Sequence, residues 1–126
     1  MAWKDYKETA RERGALAFEC YVVTSLLVEG KAVDHGILKQ HLAYIAEQEE
    51  LGTVMFAGPL SDETGEDIVG GMLIMKTADM QKAEQIAAND PIHLAGIRRF
   101  SVRRWLINEG GLSVTFNLGA QKVAIA

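Results

Sequence analysis

Apolar and polar positions change period several times along this chain, and each change marks an element. From Leu16 to Val23 apolar character is nearly continuous, and Ala15 to Leu27 is rich in β-branched and aromatic residues. That pattern predicts a central strand covered on both faces. From Asp34 to Leu51 the spacing becomes helical: Leu38, Leu42 and Ile45 share one face, His41 falls between them, and Lys39, Glu47 and Glu50 lie elsewhere. Asp34 is placed to cap this helix and Gly52 to end it. Thr53 to Ala57 predicts a second strand, broken by Gly58-Pro59, where a turn would bring backbone close to a ligand. Val69 to Thr77 predicts a third, whose Gly70-Gly71 pair marks a bulge or a tight approach of another backbone. Asp79 begins a helix to Asn89 with Met80, Ala83, Ile86 and Ala87 on its apolar stripe; Pro91 prevents its continuation, and Phe100 to Ile107 predicts a fourth strand.

The resulting order is βαββαβ, an α+β ferredoxin-like unit with an antiparallel sheet. Two additions flank it. Trp3, Tyr6 and Ala10 fall at helical spacing before Gly14, which predicts an N-terminal helix. Leu112 to Leu118 alternates strictly, and Gly119-Ala120 before Gln121 to Ala126 predicts a hairpin with a two-residue type II′ turn. We expect a single domain over residues 1–126, with residues 1–13 and 111–126 as extensions. Helices on one side of such a sheet leave the other side bare, and the strands are apolar on both. Burial against a second copy solves this, so a homodimer or higher homo-oligomer is expected.

Composition narrows the function classes. With 126 residues, 48% of them hydrophobic and 24% charged, the chain can bury one real core. A net charge of −4 and a pI near 5.3 argue against an electrostatic grip on nucleic acid or on an anionic membrane. The local exception is Arg98, Arg99, Arg103 and Arg104 around Phe100 and Trp105; on a strand these divide between two faces, as a solvated or subunit-contacting surface would. The acidic stretch Ser61 to Ile68 lacks the alternating oxygen ligands of a calcium loop and reads as a solvated hairpin loop. Cys20 is the only cysteine, which excludes an intrachain disulfide and favours a reducing compartment. Met1 to Arg13 lacks the apolar core of a signal peptide and no later run approaches a membrane span, so a cytoplasmic location is expected.

His41 is the strongest lead to chemistry. An imidazole facing a core needs a partner, and Asn89-Asp90-Pro91 supplies a carboxylate that can meet it. An aspartate on one ring nitrogen fixes the tautomer and leaves the other nitrogen to move a proton. The competing reading is a core histidine satisfied by a backbone carbonyl. Cys20 and Ser61 lie in no nucleophile motif, and no glycine loop for phosphates precedes a helix, so neither covalent catalysis nor a cofactor is indicated. His93 would complete two histidines and a carboxylate, but Pro91 disturbs the spacing, so no metal is expected. His35, near the helix start, reads as solvent-facing.

His41-Leu42, Ala57-Gly58-Pro59-Leu60, Asn89-Asp90-Pro91 and Ala95-Gly96, in this order and joined by these elements, resemble the YciI-like (YCII-related) family of the dimeric α+β barrel group. The resemblance covers about Leu16 to Trp105. It implies a pocket in which His41 faces Asp90 with the Gly-Pro segment nearby, and we expect Gly58, Pro59 and His93 to contact a small-molecule ligand. The best-defined reaction of that family is elimination of chloride from a hydroxylated aromatic ring. Ile92 departs from its pattern, which commonly has an aromatic after Asp-Pro. The expected function is therefore a lyase or isomerase using His41 and Asp90 as an acid-base dyad on a hydroxylated aromatic or cyclic acid. The alternative is a noncatalytic ligand-binding or accessory dimer.

Overall fold

Strand and helix alternate as their patterns predict in the computed structural model, which describes residues 1–125. The chain divides into two compact units: Glu19–Leu106, and Met1–Phe18 together with the stretch from Ile107 onward. The larger unit holds most of a four-stranded antiparallel sheet in the order β2-β3-β1-β4, built from β1 (Phe18–Leu27), β2 (Val54–Ser61), β3 (Ile68–Met75) and β4 (Arg98–Ile107). After the N-terminal helix α1 (Trp3–Glu12), its helices are α2 (His35–Glu50), α3 (Met80–Ala88) and the short α4 (Pro91–Leu94). This is the ferredoxin-like order with one added turn of helix. Asp34 and Asp79 cap α2 and α3, accepting from Ile37 N and Lys82 N at 2.8 Å.

Register assigns the faces. Tyr21 pairs with Met75, Val23 with Leu73 and Ser25 with Gly71, so these six share the helix-covered side of the sheet. Tyr21, Val23, Val54, Leu73 and Met75 form the core with Ala83, Ile86 and Ala87 of α3, while Tyr44, Ile45, Phe100 and Val102 pack around it. Each large apolar side chain buried there stabilises the fold by about 1.5–3 kcal/mol. Gly70 is required by close approach: a Cβ there would lie 1.9 Å from the Ser25 carbonyl oxygen.

Three local expectations are corrected. Gly58 and Pro59 do not end β2 in a turn; they lie within it, paired with Met72 and Gly71, and proline is tolerated because β2 is an edge strand. A register shift between Val54 and Phe56 makes Met55 the extra residue of a bulge. Val54 thus shares the helix side with Met75, Phe56 joins Ile74 on the other, and Ala57 returns to the helix side opposite Leu73. The third correction concerns α2, whose Leu38 and Leu42 remain exposed rather than packed in the core.

In the smaller unit, α1 ends at Gly14, whose φ of +82° and bond to the Arg11 carbonyl terminate the helix. Asn108 holds the segment after it, its backbone oxygen accepting from Leu16 N and its Oδ1 from Ala17 N. β5 (Val114–Asn117) and β6 (Lys122–Ile125) pair antiparallel, with Asn117 opposite Lys122. The connection is therefore the four residues Leu118 to Gln121, with the left-handed residue at Gln121 (φ +53°), and not the expected two-residue turn at Gly119. Every described residue of this hairpin is exposed.

Candidate active site beside His41

Asp90 stands where α3 has ended and α4 begins. Its extended backbone is fixed by Pro91, and its Oδ1 accepts from Ile92 N at 3.0 Å as the N-cap of α4. The same carboxylate meets His41 of α2: Nδ1 lies 2.7 Å from Oδ2 and 2.9 Å from Oδ1. Their side chains are 13% and 3% exposed, so this contact is made largely out of water, where charge-assisted bonds are strong. A carboxylate can only accept, so Nδ1 carries the proton and Nε2 keeps its lone pair in the neutral ring.

His41 also lines a cavity of about 320 Å³, with Leu38, Leu42, Ile45 and Leu73 as its apolar wall and Ala57, Gly58 and Pro59 along β2. This explains the exposed stripe of α2: Leu38 and Leu42 face a space and not a packed neighbour. The volume suits one substituted ring, since a cavity of about 150 Å³ accommodates benzene and ligand sites run to several hundred.

A YCII-related domain is matched over residues 17–106, most of the chain. The chain belongs to the YCII-related family. No curated protein matches it by sequence. Among solved structures, this YCII-related chain is similar to 5-chloro-2-hydroxyhydroquinone dehydrochlorinase (TftG) from Burkholderia phenoliruptrix AC1100, in complex with 2,5-dihydroxybenzoquinone. The likeness has a TM-score of 0.50 at 21% identity and covers 68% of this chain and 92% of that one. It supports the ferredoxin-like α+β fold.

Not every expected residue of the YCII-related domain reaches the cavity. His93 lies elsewhere, with both nitrogens engaged: Nδ1 donates to the Ala87 carbonyl and Nε2 accepts from Ser25 Oγ, each at 2.6 Å. Its ring packs on Phe100 with centroids 4.7 Å apart. Burial pushes its pKa below the ordinary 6.5, against the opposing pull of the Ala87 bond and the Asp90 charge. The space shared by Asp90, His93 and the core is about 10 Å³, at the threshold for a single water. His35 is exposed at the start of α2. Among the described residues no group of three or more His, Cys, Asp or Glu is arranged to hold a metal ion.

Two contributors were not singled out as site residues from the sequence. Tyr44 donates its hydroxyl to the Ile86 carbonyl at 2.7 Å, and burial first, then the Asp90 charge, pushes its pKa up. Arg98 also lines the 320 Å³ cavity, from the start of β4. Its Nε is sealed from solvent without a hydrogen-bond partner, and burial holds its pKa below the ordinary arginine range, opposed by the charge of Asp90. Arg98 shares its alternation with Phe100 and Val102, which pack against the core, whereas Arg99 and Arg103 fall on the opposite parity. No helix among the described residues is long and apolar enough to cross a membrane.

Proposed function

We propose that the cavity beside His41 is an active site for a lyase or isomerase acting on a hydroxylated aromatic or cyclic acid. The observation that carries this reading is the bond from His41 Nδ1 to the buried Asp90 carboxylate, with His41 at the wall of an apolar cavity. In this reading Nε2 removes a proton from the bound ring, and Asp90 orients the imidazole and stabilises the imidazolium that forms. Elimination then expels a leaving group with its bonding pair from the ring as a new double bond forms. Isomerisation returns the same proton to a different atom, so one base serves either outcome.

The YCII-related membership and the similarity to a 5-chloro-2-hydroxyhydroquinone dehydrochlorinase support the choice of substrate class. The apolar walls suit a ring, and no step requires a nucleophile. The test is a mass-spectrometric screen of hydroxylated aromatic and cyclic acids, with halide release followed for halogenated members. Turnover that vanishes in His41→Ala supports the base; equal turnover in a folded variant refutes it and leaves a ligand-binding role.

We also propose that the working form is a homodimer closed over the bare side of the sheet. Leu26, Phe56, Met72 and Trp105 are exposed large side chains whose strand parity places them on that side. Sedimentation at micromolar concentration should show no dominant monomer, and a well-behaved monomer would refute this packing.

A further inference from the structure

Arg98 is a cation in an apolar wall with no carboxylate of its own. Among the described residues it makes no ion pair, and Asp90, the acidic group that acts on it electrostatically, already accepts from His41 and from Ile92 N. Its Nε–H has no acceptor, although leaving a buried donor without one is costly. Space has been kept for the guanidinium: a Cβ on Gly71 would lie 3.3 Å from its Nη1 and 3.2 Å from the Gly58 carbonyl oxygen. Gly58 and Gly71 line the same cavity as Arg98 and His41. The small residues therefore leave the charged head room at the wall opposite no fixed partner.

A guanidinium stays protonated at neutral pH even when burial lowers its pKa, and its parallel N–H groups match two oxygens of one planar anion. We propose that Arg98 is the anion-recognition residue of this cavity, selecting ring ligands that carry a carboxylate flanked by a ring hydroxyl. Nη1 ends beside Gly71 in the cavity wall, and rotation about the terminal side-chain bonds would bring Nε–H to the second oxygen. The ring then lies against Leu38, Leu42 and Leu73, on the wall that also carries His41. This assignment rests on the reading of the cavity as a substrate site, but it concerns binding and not proton transfer.

Salicylate and its uncharged analogue salicylamide are the probes, titrated by ligand-observed NMR at low ionic strength. Salicylate should bind the wild-type protein at least tenfold more tightly than salicylamide. Arg98→Gln should erase that preference by weakening salicylate alone, and Arg98→Lys, which keeps the charge and the stem, should weaken salicylate several-fold through loss of the fork. His41→Ala should keep the preference, so loss of turnover there and loss of charge selection at Arg98 are read separately. Failure of salicylate to bind, equal binding of both by wild type, or unchanged selectivity in a folded Arg98→Gln or Arg98→Lys protein would overturn the assignment. Unfolding of Arg98→Gln, by circular dichroism, passes the decision to Arg98→Lys.

Discussion

The surroundings of His41 and of His93 use the same side chain in opposite ways. His41 commits one nitrogen to a buried carboxylate and sits at a cavity of about 320 Å³. His93 commits both nitrogens, to Ala87 and Ser25, between a core space of about 10 Å³ and an open hollow of about 410 Å³, so no lone pair is left to face either. Asp90 stands near both, yet its carboxylate bonds only the first ring. The difference teaches that burial of a histidine is uninformative by itself: a spare nitrogen facing space separates a reactive ring from a structural one.

The sharpest way to break this contrast is to truncate His41. His41→Ala should lower turnover of the folded protein by about 10²- to 10⁴-fold, the usual worth of general acid-base catalysis, and should also lower the thermal midpoint because it strands the buried Asp90 carboxylate. Asp90→Asn should lower turnover roughly tenfold or more, because an amide can stabilise the wrong tautomer. Asparagine can still cap α4, so circular dichroism should show the helices retained. His93→Ala should cost stability without costing turnover. It strands Ser25 Oγ and the Ala87 carbonyl and should cost about 1–3 kcal/mol in urea unfolding, with turnover of the folded fraction close to wild type. Activity losses of equal size in the two histidine variants would dissolve the comparison.

The smallest effect expected is on pH dependence. Because burial lowers the folded pKa of His93 below its ordinary 6.5, the unfolded chain binds that proton more readily. The stability His93 confers is complete above about 6.5 and is lost as pH falls through its lower folded value. Thermal midpoints measured from pH 7.5 down to 5 should decline, and His93→Ala should flatten the part of the decline that begins below 6.5.

Much of this arrangement was legible in the sequence because it rests on local rules. The apolar spacing of α2 placed His41 beside Leu38 and Leu42, and Asp90-Pro91 announced a helix boundary. What spacing could not say was whether that stripe meets side chains or empty space, since this depends on how far α2 stands from β2 and β3. Arg98 was hidden by company: Arg99, Arg103 and Arg104 make the segment look like a uniformly basic surface. Its shared parity with Phe100 and Val102 was the available signal. The Gly119-Ala120 turn failed for a related reason, because pairing of Asn117 with Lys122 sets the loop length and overrides the local glycine preference. Gly58-Pro59 read as a break because proline cannot donate to a central ladder, and only the strand order reveals that β2 lies at the edge.

The bulge at Met55 makes cavity size a matter of counting. Beyond it, each residue of β2 projects to the side opposite the one that uninterrupted alternation from Val54 would give, so Ala57 and not Phe56 shares the cavity side with Leu73. Volume at the site is thus written in strand register as much as in side-chain identity. Removing Met55 should straighten β2 without exchanging its sides, because Phe56 stays opposite Ile74 and Ala57 opposite Leu73, so a folded Met55-deleted protein should keep salicylate binding. A bulge flattened with its residue kept would instead bring Phe56 opposite Leu73 and plug the space, a route by which relatives of one fold could open or close the same chamber without altering His41 or Asp90.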